Sequence, residues 1–190
     1  MDMAKASIIE RFSYVRHMYT CLFKVNQHGG SCFDPMMYHY PNDDVHFQSN
    51  NTEHTFLVGD AIKVTPVLAS NPTELWSYFP NGNWTSMRDY SVVVNSDGNR
   101  TGTNGTGEWK SLDLAATKEG IHSHLRPGYM VPHQTCGNIT CGTTTDLQTQ
   151  GELSMIINRD AQGHAKGHLF LNADDTLAEI ADSTYEYYEF

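Results

Sequence analysis

The residues that decide the fold are 8–38, which read IIERFSYVRHMYTCLFKVNQHGGSCFDPMMY. Apolar side chains recur here four and three positions apart, which is the period of one helix face. They are Ile8, Phe12, Val15, Tyr19 and Leu22. Gly29 and Gly30 follow, and glycine commonly ends helices, so the pattern predicts one helix over about residues 3–28. Residues 31–38 predict a short strand, whose lack of alternation is typical of a parallel strand covered on both faces.

The chain changes character beyond residue 60. Short apolar runs alternate with turn residues, at a spacing typical of a β-sandwich or barrel. The predicted strands are 62–68, 75–79, 90–94, 121–125, 153–158 and 168–171. A parallel strand needs parallel neighbours, and no second helix–strand unit follows. We therefore expect a mostly β fold with an N-terminal α part, in which the first residues close a larger α/β domain.

The composition excludes two classes of function. The chain has 190 residues and a formal net charge of −10, with 39% hydrophobic and 18% charged residues. This length suits one or two small domains with a sizeable core. The acidic balance argues against binding the phosphate backbone of nucleic acids, which needs clustered Lys and Arg. No apolar run approaches the roughly 20 residues that cross a bilayer, so no membrane span is predicted.

Sequons indicate a protein of the secretory pathway. The sequence has more Asn-x-Ser/Thr sequons than the about two that chance predicts. They begin at Asn50, Asn83, Asn99, Asn104 and Asn138, which are the candidate N-glycosylation sites. The first residues lack the basic and apolar regions of a signal peptide. A mature or truncated chain would reconcile this lack with the excess of sequons. The alternative is a cytosolic protein with chance sequons and free thiols.

The cysteines form two local pairs along the sequence. Cys136 and Cys141 enclose four residues of a polar loop, and Cys21 with Cys32 would clip the helix end to the strand. Both pairs are suspected disulfides, provided that the Cα atoms lie about 4.4–6.8 Å apart. Free thiols remain the alternative for each pair.

Seven blocks of sequence carry a resemblance to a known family. The most specific are residues 78–84 (YFPNGNW) and 124–134 (HLRPGYMVPHQ). The others are 11–23 (RFSYVRHMYTCLF), 32–41 (CFDPMMYHYP), 53–68 (EHTFLVGDAIKVTPVL), 143–145 (TTT) and 167–170 (GHLF). In this order they resemble the C-terminal third of glycoside hydrolase family 31 α-glucosidases, of the acid α-glucosidase, maltase-glucoamylase and sucrase-isomaltase type.

The resemblance implies a domain for each part of the chain. Residues 1–60 would end a catalytic (β/α)8 barrel, with its last helix, eighth strand and a short helix. Residues 61–134 would form a proximal β-sandwich, and residues 135–190 would begin a distal β domain. The sequence departs from the family at Asp34, where Arg is common, and at residues 172–176 (NADDT), where an Asp-Asp-Gly-Glu-Ser run is usual. It also stops at Phe190, where family members continue.

The resemblance also implies a chemistry. It is retaining hydrolysis of terminal α-linked glucose from maltooligosaccharides or glycogen, without a metal or organic cofactor, in a lysosome or vacuole or outside the cell. A retaining glycosidase needs two carboxylates about 5–5.5 Å apart, and the family carries its catalytic aspartates on earlier barrel strands. We therefore predict no catalytic, substrate-binding or metal-binding residue here and no hydrolysis by this chain alone. Its partners would be the rest of the barrel and, in the intact enzyme, an α-glucan.

Two groups of acidic and histidine residues call for an alternative interpretation. One is a possible metal-ligand cluster after the predicted strand, comprising His39, Asp43, Asp44, His46, Glu53 and His54. No two of its histidines have the i, i+4 spacing of zinc peptidases, so an ordinary polar loop is preferred. Asp43-Asp44 and Asp174-Asp175 are adjacent acids, which point to opposite faces of an extended strand and are predicted to be solvated loop residues.

Aromatic and arginine residues also have two interpretations. Trp76, Trp84 and Trp109 could stack on sugar rings, but the large area of tryptophan favours a core or inter-domain role. Arg126 is expected to make a buried structural hydrogen bond rather than to clamp a ligand.

The alternative to an α-glucosidase part is a stand-alone, non-catalytic β-sandwich module that binds glycans or a protein. The predicted N-terminal helix weighs against it, because its apolar stripe would need a partner. A third possibility is a mis-bounded gene model in which Met1 is an internal methionine, which changes only where the true chain begins.

Overall fold

The computed structural model describes residues 2–48, 52, 54–69, 72–93, 107–113, 121–136, 143, 146–147, 150–172 and 185–190. Its helices are α1 (Asp2–Ser13), α2 (Val15–His28), α3 (Met36–His39) and α4 (Val45–Gln48). Its strands are β1 (Phe33–Pro35), β2 (Phe56–Val58), β3 (Ile62–Thr65), β4 (Leu75–Phe79), β5 (Trp84–Ser86), β6 (Val92–Val93), β7 (Glu108–Leu112), β8 (His122–Leu125), β9 (Tyr129–Thr135), β10 (Glu152–Asn158), β11 (His168–Leu171) and β12 (Glu186–Glu189). The predicted class, mostly β with an N-terminal α part, is confirmed. Within these residues, no helix has the length and apolar character needed to cross a membrane.

The prediction of one helix over residues 3–28 is wrong, because the chain breaks at Tyr14 into α1 and α2. The Ser13 hydroxyl donates a hydrogen bond of 2.6 Å to the carbonyl of Glu10, and the Tyr14 N–H donates one of 3.2 Å to that of Arg11. Such bonds to carbonyls three residues back compete with the α-helical ladder and tighten the last turn. Gly29 ends α2 with a φ of 76°, as predicted for a glycine at this position.

The apolar stripe predicted for this helix is only partly buried. Val15 is buried, whereas Ile8 and Leu22 are each more than half exposed. The inward face of α2 is instead partly polar. Arg16 Nη1 donates to Asn172 Oδ1 at 3.3 Å, and Thr20 Oγ1 accepts a 3.0 Å hydrogen bond from the Phe170 N–H. These bonds hold α2 against β11, where Phe23 also stacks on the ring of Phe170 at 4.2 Å.

The strand predicted over residues 31–38 is wrong in extent and pairing. Only Phe33–Pro35 forms a strand, and it pairs antiparallel with β2, with Phe33 opposite Val58. Pro35 has no N–H for a strand ladder, and its φ of −55° suits the start of α3. Phe33 is 56% exposed, so β1 is not covered on both faces in the part of the chain that is described.

Four antiparallel sheets account for the strands. The largest has six strands in the order β1-β2-β3-β8-β5-β6. The others are the pairs β4–β7, β9–β10 and β11–β12. The predicted strands 75–79 and 168–171 have the bounds of β4 and β11, whereas β2, β5, β7, β9 and β12 were not predicted.

The six-stranded sheet has a hydrophobic core on each face, because side chains alternate along its strands. One core contains Tyr14, Ile62, Leu125 and Val131, and so joins the helices to β9. The other core contains Leu57, Phe79, Trp84 and Leu112, and so joins the sheet to the β4–β7 pair. Lys63 follows Ile62 in β3 and therefore points to the second core.

The predicted domain boundaries fall within antiparallel pairs of strands. β2 and β3 pair on either side of residue 60, and β9, which contains residues 134 and 135, pairs along its whole length with β10. The division at residues 60 and 134 stays a prediction.

Candidate functional site

A cleft of about 250 Å³ lies where the end of α2 meets β1 and β11. Two carboxylates line it, and each has a basic partner. Asp34 Oδ2 lies 3.2 Å from His39 Nε2, and Asp60 Oδ2 lies 3.8 Å from Lys24 Nζ. Each carboxylate of the cleft therefore lies within ion-pair distance of a basic side chain.

His17 lies in the wall of this cleft. Its Nε2 is 2.9 Å from the carbonyl oxygen of Val58, and burial lowers the pKa of the imidazole. The neutral ring therefore donates a hydrogen bond from Nε2 to that carbonyl. Gly59 has a φ of +63°, and a Cβ at this position would lie 3.1 Å from His17 Nε2. The glycine thus permits the close approach, and the role of His17 is structural.

A disulfide joins Cys21 of α2 to Cys32, directly before β1. The two Cα atoms are 5.7 Å apart, within the range that a disulfide requires. The bridge closes the glycine turn between helix and strand. Cys141 lies outside the described residues, so the pairing of Cys136 with Cys141 stays a prediction.

The polar residues that follow β1 have separate structural partners. Asp43 is buried, and its Oδ2 accepts a 2.6 Å hydrogen bond from the Tyr78 hydroxyl. His46 packs edge-on against the Tyr78 ring at 5.3 Å, and His39 contacts Asp34 as described above. Glu53, Asp174 and Asp175 lie outside the described residues. Among those that are described, no three His, Cys, Asp or Glu side chains form a group suited to hold a metal ion.

Sequence reasoning missed a buried lysine in β3. Lys63 is fully buried, and its Nζ donates hydrogen bonds to Ser77 Oγ at 2.5 Å and to Thr65 Oγ1 at 2.9 Å. The ammonium also lies 4.0 Å above the centre of the Phe79 ring. Burial lowers the pKa of Lys63 to about 7. The signal in the sequence was a lysine in the otherwise apolar strand pattern of residues 61–64.

The charge of Lys63 acts on three buried or half-buried histidines, and together the four residues are called the basic cluster: Lys63, His46, His122 and His124. Burial, followed by the charge of Lys63, lowers the pKa of His124 to about 3. Burial likewise lowers the pKa of His46 and of His122. In the described structure, His46 Nδ1 and Nε2, His122 Nε2 and His124 Nδ1 have no hydrogen-bond partner.

A second, polar cavity of about 360 Å³ borders His122 and His124. Arg88, Asp89 and Asp113 also line it. Asp89 Oδ1 accepts hydrogen bonds from the Ser91 N–H at 3.1 Å and the Ser91 hydroxyl at 2.7 Å. Hydrogen bonds from Ser86 and Ser91 lower the pKa of Asp89 to about 2, so it stays ionised at neutral pH.

The tryptophans and Arg126 make structural contacts. Trp84 is fully buried and donates a 2.8 Å hydrogen bond from Nε1 to the Pro80 carbonyl, which is the core role expected of it. Trp76 is 46% exposed, and Trp109 packs on Tyr78. Arg126 Nη1 donates to the Asp60 carbonyl at 3.2 Å. Its guanidinium lies over the rings of Tyr40 and Tyr129, at 4.7 and 4.8 Å.

One sequon lies in the described part of the chain. Asn83 is exposed directly before β5, and its own side chain can therefore be reached from solvent. The other candidate sites, Asn50, Asn99, Asn104 and Asn138, lie outside the described residues.

Comparison with known proteins identifies the family. Residues 29–131 match the model of the glycosyl hydrolase family 31 C-terminal domain, which is more than half of the chain. The chain belongs to family 31. The resemblance found in the sequence is thereby confirmed.

Curated family 31 relatives are α-glucosidases. The chain is 28% identical to mouse (Mus musculus) lysosomal α-glucosidase over 183 residues, which is 92% of the chain and 18% of that protein. It is 28% identical to an α-glucosidase of Hordeum vulgare over 166 residues, covering 87% of the chain and 17% of the relative. Rabbit (Oryctolagus cuniculus) intestinal sucrase-isomaltase is 29% identical over 190 residues, covering 98% of the chain and 9% of the relative. The chain thus spans less than a fifth of each of these relatives.

Solved structures of family 31 enzymes share the fold. The glucosidase II alpha subunit superposes with a TM-score of 0.76 at 16% identity, over 95% of this chain and 18% of that one. A Flavobacterium johnsoniae family 31 dextranase superposes with a TM-score of 0.70, also at 16% identity, over 96% of this chain and 20% of that one.

Proposed function

We propose that this chain is the C-terminal part of a retaining α-glucosidase that hydrolyses terminal α-linked glucose from maltooligosaccharides or glycogen. In this proposal residues 1–60 end a catalytic (β/α)8 barrel, residues 61–134 form a proximal β-sandwich and residues 135–190 begin a distal β domain. The names of the relatives and the small share of their length that the chain spans support it. The chain's own role is to brace the catalytic part.

One observation carries the proposal: the N-terminal part of the chain exposes a large apolar surface. Six large side chains there are each more than half exposed, namely Ile8, Ile9, Leu22, Phe33, Tyr38 and Phe47. Of these six, Phe33 lines an apolar groove of about 210 Å³ between α1 and the β2–β3 strands. Large apolar side chains exposed in one part of a chain indicate an interface. The occupant in our proposal is the rest of the barrel.

The carboxylates of the chain support a bracing role rather than a catalytic one. Retaining hydrolysis needs one carboxylate as nucleophile and a second as acid and base. Asp34 and Asp60 share a cleft, but they are paired with His39 and Lys24. Asp43 is buried beneath Tyr78, where a sugar has no access.

An assay of hydrolysis by the chain itself tests whether the chain braces the catalytic part without being catalytic. We expect the purified chain to release no glucose from maltose, and no nitrophenol from p-nitrophenyl α-glucoside, above a boiled control. Turnover that disappears in the Asp34→Asn or Asp60→Asn variant would overturn it, because the cleft would then be an active site.

The size of the native protein tests whether the chain is part of a longer enzyme. An antibody against residues 110–120 should detect a band several times larger than 21.4 kDa in the source cells. A band near 21 kDa after deglycosylation would show that the chain exists without a catalytic part, and the bracing role would be wrong.

We place the protein in the secretory pathway, in a lysosome or vacuole or outside the cell. The Cys21–Cys32 disulfide supports this, because disulfides persist in oxidising compartments. Some relatives are named lysosomal α-glucosidases. Native protein treated with peptide N-glycosidase should lose mass, and an Asn83→Gln variant should lose one glycan fewer. No mass change in either would argue against secretion.

A non-catalytic glycan-binding module is the second candidate, and the polar cavity beside His122 and His124 favours it. The cavity combines donors and acceptors from Arg88, Asp89 and Asp113, which suit the hydroxyl groups of a sugar. Calorimetry with maltotriose decides between the candidates. Binding that is lost in Arg88→Ala would support the module, and absence of binding would leave the bracing role alone.

A further inference from the structure

The basic cluster is a set of four basic side chains, and neither proposed function gives Lys63 or His46 a role. Lys63 lies in β3 and His122 and His124 in the adjacent strand β8, with His124 directly opposite Lys63 in the ladder. His46 approaches from α4. Lys63 and His124 are 0% and 3% exposed, and His46 is 7% exposed. Each of these groups is therefore poorly placed to accept a proton.

The contacting partners of Lys63 are neutral. The Lys63 ammonium has two hydroxyls and an aromatic ring as its neighbours. An ammonium buried without a carboxylate is costly, and the group favours its neutral form instead. The unpartnered ring nitrogens of the three histidines lack acceptors that would stabilise an added proton. Protonation of any one member also repels the others, since Lys63 disfavours the charged form of all three histidines.

The carboxylates around the cluster favour the charged form of the histidines, but burial outweighs them. The charged and titratable groups are Asp43, Tyr40 and Tyr78 beside His46, Arg88 and Asp113 beside His122, and Asp89 near His124. Asp43 already accepts the Tyr78 hydrogen bond, and Asp89 is held in its own turn by Ser91. Of these groups, none is a direct ion-pair partner of Lys63.

We propose that the basic cluster makes the folded chain acid-sensitive, so that the protein works at neutral or mildly alkaline pH and loses its β core in acidic compartments. This goes beyond the proposed function and narrows its location: among secretory destinations, the cluster fits an extracellular or other near-neutral site rather than a lysosome. It does not depend on whether the longer protein is an α-glucosidase.

The direction of the effect follows from linkage between protonation and folding. The pKa of Lys63 is about 7 in the folded chain and 10.5 without the fold, so its stabilising contribution is complete above pH 10.5 and is lost as the pH falls towards 7. The pKa of His124 is about 3 in the folded chain and 6.5 without the fold. Its contribution is lost as the pH falls from 6.5 towards 3. The contribution of these two groups to stability therefore decreases from alkaline to acidic pH.

Thermal unfolding of the 190-residue chain between pH 4 and pH 9 tests the proposal. We expect Tm to fall at each step towards acid. Lys63→Met, which keeps the length of the side chain and removes the amine, should raise Tm at pH 7 by about 5 °C or more and flatten the decline between pH 9 and pH 7. Its decline below pH 6.5 should persist, because the histidines remain. The matched control is Lys5→Met, since Lys5 is exposed on α1 and its removal should leave the Tm profile unchanged.

A direct measurement keeps the test independent of variant folding. In protein labelled with ¹³C at the lysine Cε, the Lys63 resonance, assigned by its absence in Lys63→Met, should titrate near pH 7. A Lys63 midpoint near pH 10 would overturn the proposal. So would a Tm that is constant or rises from pH 7 to pH 5. Neither result would bear on the proposed role in an α-glucosidase, which is tested by native size and turnover.

Discussion

Tyr78 and Asp43 share a 2.6 Å hydrogen bond that joins strand β4 to the segment between α3 and α4. The same hydroxyl accepts a 2.8 Å hydrogen bond from the Gly107 N–H. Burial, assisted by the carboxylate of Asp43, raises the pKa of Tyr78, so the phenol keeps its proton and remains a donor. This single oxygen of β4 therefore contacts both the N-terminal part of the chain and Gly107, directly before β7.

The first prediction is that Tyr78→Phe lowers the free energy of unfolding by about 1–3 kcal/mol, because it leaves the buried Asp43 carboxylate without this donor. Urea unfolding followed by tryptophan fluorescence measures it. Tyr38→Phe is the matched control, since Tyr38 is 71% exposed and its hydroxyl reaches solvent. Equal stability of the two variants would contradict a structural role for the bond.

The second prediction concerns the Cys21–Cys32 bridge. Replacing both cysteines by alanine should lower the free energy of unfolding by about 2–4 kcal/mol, because the unfolded chain gains conformational freedom. The measurement is urea unfolding without reductant, with the Cys136→Ala, Cys141→Ala double variant for comparison. If the Cys21, Cys32 double variant matched the wild type, the bridge would contribute nothing to stability.

The third prediction separates the cost of backbone strain from the cost of a steric clash when glycines with positive φ are replaced by alanine. Gly59 and Gly163 have φ values of +63° and +87°, but of the two only Gly59 has side-chain atoms, the nearest from His17, within 4 Å of the place that an alanine Cβ would occupy. Gly163→Ala should cost about 1 kcal/mol from backbone strain alone. Gly59→Ala should cost more, because the new methyl group also pushes on His17. A smaller loss of unfolding free energy at Gly59 than at Gly163, measured in urea, would show that the His17 ring moves aside freely.

The fourth prediction compares two tryptophans. Trp84→Ala should lower the free energy of unfolding by about 3–5 kcal/mol, because Trp84 fills the core between the sheet and the β4–β7 pair. Trp76→Ala should cost less than about 1 kcal/mol, since its side chain is 46% exposed. Similar losses in chemical denaturation would contradict this assignment of core and surface.

The sequence was most informative where one local pattern decides the structure. Gly29 ends α2 because glycine readily adopts its positive φ, and the apolar run 75–79 is β4 as predicted. Residues 124–134 carried the family resemblance through their order and chemistry, which does not depend on exact strand bounds.

The remaining features depend on contacts between distant residues. The helix breaks at Tyr14, where the Ser13 hydroxyl bonds to the Glu10 carbonyl. The spacing of apolar residues contains no information about this hydrogen bond. β7 pairs with β4, a strand more than 25 positions earlier, and Trp109 lies opposite Tyr78. The buried Lys63 donates a hydrogen bond to the hydroxyl of Ser77, which lies fourteen positions later and in another sheet. No pattern within one window of sequence contains these pairs.

The hydrogen bonds of α2 have a consequence for how the protein is made. Thr20 and Arg16 are bonded to Phe170 and Asn172, which follow them by 150 and 156 positions. A ribosome adds about 5–20 residues per second, so α2 waits on the order of 10–30 s before these partners leave the exit tunnel. The contact between α2 and β11 therefore forms only after the 150 residues that separate Thr20 from Phe170 have been synthesised.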